Sequence, residues 1–226
     1  MFNLQNQKKI TNLNVNAHIY NHEKFGCQHL HLESENNEKV FMVAFRTVPE
    51  DSTGVAHILE HTALCGSKKY PVRDPFFMMI RRSINSFMNA FTSSDWTAYP
   101  FATQNEKDFN NLLSVYLDSA FFPNLDALDF AQEGHRLEFA NEDEDKLEIK
   151  GVVYNEMKGA MSSITSQLWH GMSKYLYSSS TYKHNSGGNP EDILDLTHDD
   201  LVNFHKKHYH PSNAIFLTFC YIKPGT

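Results

Sequence analysis

The segment from His57 to Ser67 reads HILEHTALCGS, and it places two histidines and a glutamate within five residues. Its apolar residues predict a helix that runs to about Leu64 and ends at Gly66. Ser52 or Thr53, in the polar loop that precedes it, is expected to cap the start of this helix. The segment therefore predicts that one face of a short helix carries a cluster of metal-binding side chains.

His57 and His61 are four residues apart, so their side chains lie on one face of the helix and can converge on one ion. Neutral imidazole is a good zinc ligand, and two imidazoles leave room for a third protein ligand and a water molecule. Glu60 lies beside them, where a general base for a metal-activated water belongs. The order His-x-x-Glu-His is typical of the inverted zincins. The alternative is a helix with two surface histidines and a solvated glutamate.

The third ligand is expected in the segment 149–164, where apolar residues recur at helical spacing. Glu156 falls on that apolar stripe. A carboxylate on a buried face is costly unless it is paired or binds a metal. Glu156 is therefore the candidate third ligand, and a salt bridge to a lysine or arginine is the alternative.

Other acids and a cysteine compete for a place at the site. Glu133 and Glu138 precede that segment and are candidates for residues that support the ligands. Cys65 is either a thiolate ligand or a small buried packing residue. The acidic run at 142–145 is expected to form a solvated loop.

The predicted fold class is α+β, a largely antiparallel sheet with helices packed on it. The first three strands are expected to form a meander, and residues 84–103 to form two strands joined by a turn at Ser93–Asp95. The helix that starts near Asp74 is expected to have that residue as its cap and Pro75 at its first position. Strands are predicted at 14–22, 26–33, 38–47 and 214–222, and helices at 74–82, 105–120, 126–140, 150–165 and 198–208.

The 226 residues suit one domain, and the net charge of −7 argues against nucleic acid as a partner. Three separated cysteines favour a reducing compartment. The sequence shows no secretory signal and no apolar run of transmembrane length, so no membrane partner is expected. The expected location is the cytoplasm, with a mitochondrion or another organelle as the alternative if a targeting segment is missing.

Long stretches of the chain resemble the presequence protease branch of the pitrilysin-type zinc peptidases, from about residue 15 to residue 219. The motifs that carry the resemblance are HILEHTALCGSKKYPVRDPF, NSFMNAFTSSDWTAYPFAT, QEG at 132–134, GVVYNEMKG and YKHNSGGNPEDILDLTHDDLVNFHKKHYHPSNA. The resemblance departs at His135, where a tryptophan is expected.

The resemblance implies a zinc peptidase domain over residues 1–226 that hydrolyses unfolded peptides. An extended peptide would pair with an open strand edge, a mode of recognition that depends little on sequence. The implied metal ligands are His57, His61 and Glu156, the implied catalytic base is Glu60, and the implied substrate-binding residues are Asn89, Ala90 and Phe91.

Members of that family are much longer, with four related domains that close into a chamber, and this chain resembles the first. The missing C-terminal half, or a partner subunit, is therefore the expected partner. A second hypothesis is a non-catalytic or partner-dependent fragment that binds zinc and peptide without turnover alone. A third is a lyase like S-ribosylhomocysteine lyase, with Cys27 or Cys220 as third ligand, but neither cysteine has a suitable context.

Overall fold

A computed structural model describes residues 1–140 and 146–221 of the chain. It contains ten strands and seven α-helices in that part of the sequence. The strands are β1 (Phe2–Ile10), β2 (Val15–His22), β3 (Gln28–Glu33), β4 (Lys39–Arg46), β5 (Phe87–Met88), β6 (Phe91–Thr92), β7 (Trp96–Thr103), β8 (Arg136–Phe139), β9 (Leu147–Lys150) and β10 (Ala214–Cys220). The helices are α1 (Val55–Ala63), α2 (Pro75–Arg82), α3 (Glu106–Phe121), α4 (Ala127–Glu133), α5 (Val152–Ala160), α6 (Ile164–Leu176) and α7 (His198–His208).

Eight of the strands form one sheet in the order β1-β2-β3-β10-β4-β7-β5, with β6 also paired to β7. All pairs in it are antiparallel except that of β3 with β10, which is parallel. Strands β8 and β9 form a separate antiparallel pair. The predicted α+β class, a mostly antiparallel sheet with helices, is confirmed.

The main apolar core lies between this sheet and helices α1, α3 and α7. Phe45 of β4 stacks on Tyr209, just after α7, with ring centroids 4.3 Å apart. Phe101 of β7 meets Tyr116 of α3 at 5.0 Å. Ile58 of α1 is fully buried, and burying such a side chain contributes about 1.5–3 kcal/mol. Because α1 is packed this closely, its remaining face has a fixed position.

The predicted meander is wrong at its third strand. Strand β10 lies between β3 and β4 and pairs with both. Strand β1 was not expected, because FNLQNQKKI lacks an apolar alternation and is exposed at every position but its last. It forms through its antiparallel ladder with β2.

Two predicted helices are also shorter than expected. The one predicted at 126–140 ends at Glu133, and β8 follows. At Gly134 a Cβ would lie 2.9 Å from the carbonyl oxygen of Phe130, so the chain turns where a larger side chain would not fit. The helix predicted at 150–165 is split into α5 and α6. The acidic run at 142–145 lies outside the described residues.

Neither predicted helix cap is made by a side chain. Helix α1 begins after Gly54, which has φ +70° and no side chain to bond. The Ser52 hydroxyl instead accepts the backbone N–H of Asn185 at 3.1 Å. Asp74 does precede α2, with Pro75 at the first position as expected, but its carboxylate makes no capping bond.

Within the described residues, none of the helices has both the length and the apolarity needed to cross a bilayer.

Replacing Gly54 by alanine is expected to lower the free energy of unfolding by about 1–3 kcal/mol. A Cβ there would lie 2.7 Å from the carbonyl oxygen of Gly187, and the positive φ disfavours any L side chain. The matched control is Gly171→Ala in α6, where a Cβ meets nothing within 4 Å and stability should be unchanged or slightly higher. Denaturant unfolding followed by circular dichroism measures both variants, and equal stability of Gly54→Ala and the parent chain would contradict the prediction.

Candidate metal centre

The two motif histidines lie on the face of α1 that points away from the buried side chains Ile58 and Leu59. The rings of His57 and His61 approach edge to face, with centroids 5.1 Å apart. Both are largely shielded from solvent. The one-turn spacing therefore places the two imidazoles side by side on one face of the helix.

His57 is oriented by a loop far along the chain. Its Nδ1 donates to the carbonyl oxygen of Gly187 at 3.0 Å, which leaves Nε2 as the free nitrogen. The loop is shaped by the buried Asn185, whose amide donates to the Gly188 carbonyl oxygen at 3.2 Å and whose Oδ1 accepts the Gly187 N–H at 3.2 Å. A hydrogen bond from the second ring nitrogen fixes the tautomer of a metal-binding histidine.

His61 is oriented by a carboxylate instead. Its Nδ1 lies 3.1 Å from Oε2 of the buried Glu133, whose Oε1 accepts the side-chain amide of Gln132 at 3.0 Å. Burial opposes ionisation of Glu133, but the hydrogen bonds from His61 and Gln132 hold its pKa below the usual value. Burial also acts against protonation of His61, yet Glu133 and the nearby Glu60 raise its pKa above the usual value. Glu133 thus takes the supporting position that the sequence suggested for it.

Glu138 does not take such a position. It lies on β8 and accepts hydrogen bonds from Arg136 and Lys150. The prediction placed it on the same helix as Glu133; because α4 ends at Glu133, Glu138 falls on β8 instead.

Glu156 of α5 lies beside His57, with its Oε2 3.7 Å from the free Nε2. One donor atom each from His57, His61 and Glu156 lies within 4.8 Å of the other two. In a tetrahedral zinc site with bonds of about 2.1 Å, donor atoms are about 3.4 Å apart. A small inward movement of these three side chains would therefore bring the donor atoms to coordinating distance of one ion. The donor set of two imidazoles and a carboxylate suits zinc.

The reason given for Glu156 was wrong, although the residue does lie beside the histidines. Its side chain is 54% exposed, and the buried face of α5 is formed by Val153 and Met157. Glu156 borders the apolar stripe on the side that faces α1.

Glu60 directly precedes His61 on α1, and its side chain is buried. Its Oε2 accepts the Thr92 hydroxyl at 2.6 Å. Burial raises the pKa of Glu60, and the hydrogen bond from Thr92 together with the charges of the two histidines partly offsets this. A carboxyl group with a raised pKa and one oxygen fixed by a donor is suited to accept and return a proton. Thr92 was missed in the sequence, since nothing in NAFT marks it as a partner of Glu60.

Cys65 is not part of the donor group. Its Sγ donates to the carbonyl oxygen of His61 at 3.6 Å, and burial raises its pKa well above that of a free thiol. A neutral buried thiol is a packing residue, in agreement with the second of the two interpretations.

Asn89 and Ala90 lie between the short strands β5 and β6, and Phe91 is the first residue of β6. Both strands are at the end of the sheet and pair with β7 on one side only. The Asn89 N–H donates to the Pro100 carbonyl oxygen at 3.2 Å. Thr92 follows directly, so this open edge runs past Glu60.

A cavity of about 280 Å³ opens between that edge and α2. Its polar lining residues are Glu60, His61, Asp74, Asn89 and Glu133. Its apolar wall consists of Leu64, Phe76, Phe77, Ile80 and Met88.

Comparison with known families matches residues 46–164 to the insulinase family, peptidase family M16. The chain belongs to this family. The matched range includes α1, the open edge and α5, and so contains every residue of the candidate centre except the Gly187 loop.

Several curated relatives are mitochondrial presequence proteases. The protein from Xenopus tropicalis is 51% identical over 220 residues, which are 96% of this chain and 21% of the relative. The one from Aspergillus oryzae is 52% identical over 227 residues, or 96% of this chain and 22% of the relative. The chain thus spans about a fifth of the length of these relatives.

Two solved structures have the same fold. Pitrilysin superposes with a TM-score of 0.73 at 18% identity, covering 99% of this chain and 23% of that one. A protease from Helicobacter pylori superposes with a TM-score of 0.70 at 23% identity, covering 89% and 45%.

Removing the Glu133 carboxylate is expected to weaken zinc binding about tenfold to a hundredfold, because His61 loses the partner that orients it. Glu133→Ala tests this, measured by competition with a chromophoric chelator. Glu138→Ala is the matched control, since Glu138 contacts neither histidine, and its affinity should equal that of the parent chain. The role assigned to Glu133 would be wrong if both variants bound zinc alike.

Proposed function

We propose that residues 1–226 form the zinc-binding catalytic domain of a metalloendopeptidase that hydrolyses unfolded peptides. The observation that carries the proposal is the convergence of His57, His61 and Glu156 beside the buried Glu60. Membership of the M16 peptidase family supports it.

The residues that would hold the ion are His57 and His61 through Nε2, and Glu156 through a carboxylate oxygen. Both Nδ1 atoms are already hydrogen-bonded to oxygen, so the nitrogens that face Glu156 are the ones left to coordinate. Zinc held there would supply Lewis acidity, to polarise a scissile carbonyl and to increase the acidity of the attacking water. The donor set supports zinc over magnesium or calcium, which prefer oxygen ligands alone.

Glu60 is the proposed general base. It takes the proton from the attacking water and then gives it to the amine that leaves. Burial raises its pKa, which brings the carboxylate closer in basicity to the groups with which it exchanges the proton. Thr92 keeps one oxygen of Glu60 in place, so the other is free to face the water.

The proposed substrate segment is extended and lies along Asn89, Ala90 and Phe91. An open strand edge binds an extended peptide through main-chain hydrogen bonds. In a folded protein those main-chain groups are already paired with each other, so unfolded peptides are the expected substrates. The apolar wall of the cavity beside Glu60 and Ala90 would accept a large apolar side chain next to the cleaved bond.

We propose that the chain is located in the mitochondrion, because the names of its relatives give that location. This replaces the cytoplasm expected from the sequence. Because the chain matches about a fifth of each relative, its proposed partner is the remaining part of such an enzyme. The same observation favours the second candidate function, a domain that binds zinc and peptide but turns over substrate only together with that part.

Glu60→Gln should keep zinc and lose cleavage by a factor of about 10²–10⁴, because the amide cannot accept the proton. The assay uses a chimera in which this chain replaces the matching 220 residues of the Xenopus tropicalis relative. A quenched fluorescent peptide reports turnover, and metal analysis reports zinc.

The isolated chain is assayed in parallel. Turnover by the isolated chain supports a self-sufficient peptidase domain, whereas turnover by the chimera alone supports the partner-dependent domain. Cleavage by Glu60→Gln at the parent rate would refute the base assignment.

Thr92→Val should lower kcat about tenfold to a hundredfold with little change in KM, since a hydrogen bond to a charged group contributes about 1.5–3 kcal/mol. Thr92→Ser keeps the hydroxyl and should restore most of the rate. Both are measured in the same chimera, with zinc content as the control for folding. A valine variant with the parent kcat would show that Thr92 does not position Glu60.

A further inference from the structure

Helix α6 is amphipathic, but its orientation is the reverse of that in an ordinary surface helix. None of its residues is buried. Its half-buried positions are small or polar, namely Ser166, His170, Gly171 and Ser173. Its apolar residues lie on the opposite side, with exposed fractions between 42% at Met172 and 83% at Ile164.

The apolar residues form one continuous stripe. At 100° per residue they fall within about 140° of the helix circumference. The stripe, called the α6 apolar face below, consists of Ile164, Leu168, Trp169, Met172, Tyr175 and Leu176. Exposed Tyr177 and Tyr182 extend it beyond the end of the helix, with ring centroids 6.3 Å apart.

Among residues 1–140 and 146–221, no element covers this face. The main element that α6 packs against is the short turn at Thr181–Lys183. A polar groove separates the rest of α6 from the body of the domain, and Gln167, His170 and Lys174 line it on the helix side. A helix of 13 residues gains most of its stability from packing an apolar face. A contiguous exposed apolar face of this kind marks an interface.

We infer that the α6 apolar face is the surface on which the remaining part of the full-length enzyme docks, an inference that rests on the proposed function. The matched relatives have about four-fifths of their length outside this domain. A partner in the same polypeptide has a high effective concentration, which favours it over a second copy of the chain. The occupant is therefore an apolar surface of that remaining part.

Helix α6 is connected to both sides of the candidate centre. Its first residue, Ile164, follows α5, which carries Glu156, after a three-residue turn. Beyond its end, the Tyr182 hydroxyl donates to Asp95 Oδ2 at 2.9 Å, in the turn between β6 and β7. Strand β6 is the strand that carries Thr92, the partner of Glu60. Docking on α6 would thus hold Glu156 and the open edge together.

The test compares hydrogen exchange in the 226-residue chain alone and in the chimera described above. Backbone amides of residues 168–176 should exchange at least tenfold more slowly in the chimera. The double variant Leu168→Glu/Met172→Glu, at the centre of the stripe, should abolish this protection and lower kcat/KM at least tenfold. Leu13→Glu, at an exposed leucine between β1 and β2, is the matched control and should change neither.

The two proposals fail in different ways. A chimera that binds no zinc would refute the proposed function, while exchange at α6 needs neither metal nor turnover. In the isolated chain the double variant should retain its melting temperature and zinc content, because neither side chain is part of the buried core. The docking inference is overturned if α6 is equally unprotected in the chimera, if the isolated chain dimerises through α6, or if peptide alone protects it.

Discussion

The hydrogen bond from His57 Nδ1 to the carbonyl oxygen of Gly187 joins two segments that are 130 residues apart. The rest of the centre depends on it, because it sets which nitrogen of His57 is free and which way the ring faces. It also requires close backbone contact. A Cβ at Gly188 would lie 2.8 Å from Ile193, and Gly54 leaves no room for one against Gly187. Two glycines, Gly54 and Gly188, are therefore needed to bring the Gly187 carbonyl oxygen to a histidine at the start of α1.

The electrostatics of the centre follow from how the carboxylates are distributed around the two imidazoles. Glu133 lies behind His61, Glu156 lies beside His57, and Glu60 is buried between α1 and β6. Three acids around two neutral rings favour a divalent cation, and without one they favour a proton on His61, whose pKa is raised. Metal and proton therefore compete for this ring. Burial raises the pKa of Glu60. Of the three carboxylates, it is therefore the one suited to exchange protons when a divalent cation is bound.

Local sequence was enough for the part of the centre that one helix supplies. His57, Glu60 and His61 fall together because of helical geometry alone. Glu156 was found from an apolar stripe, although the inference that it is buried was wrong. The positions of β10 between β3 and β4, of Gly187 at His57 and of Thr92 at Glu60 depend on contacts between distant segments, which periodicity does not encode. The position of Gly187 does have a signal in the sequence, because the paired glycines of HNSGGN indicate a close backbone approach.

The centre consists of two parts that differ in rigidity. Helix α1 is packed on the sheet, and both of its histidines have fixed partners, so the imidazole pair is preorganised. Glu156 is half exposed, and the helix that follows it turns its apolar side to solvent. The peptide edge consists of strands only two residues long. Ligand geometry in a catalytic zinc site has to be held to within a few tenths of an ångström. The part of the centre that most needs support thus lies next to the α6 apolar face, so under the docking proposal completion of the metal site would be coupled to assembly with the remaining part of the enzyme.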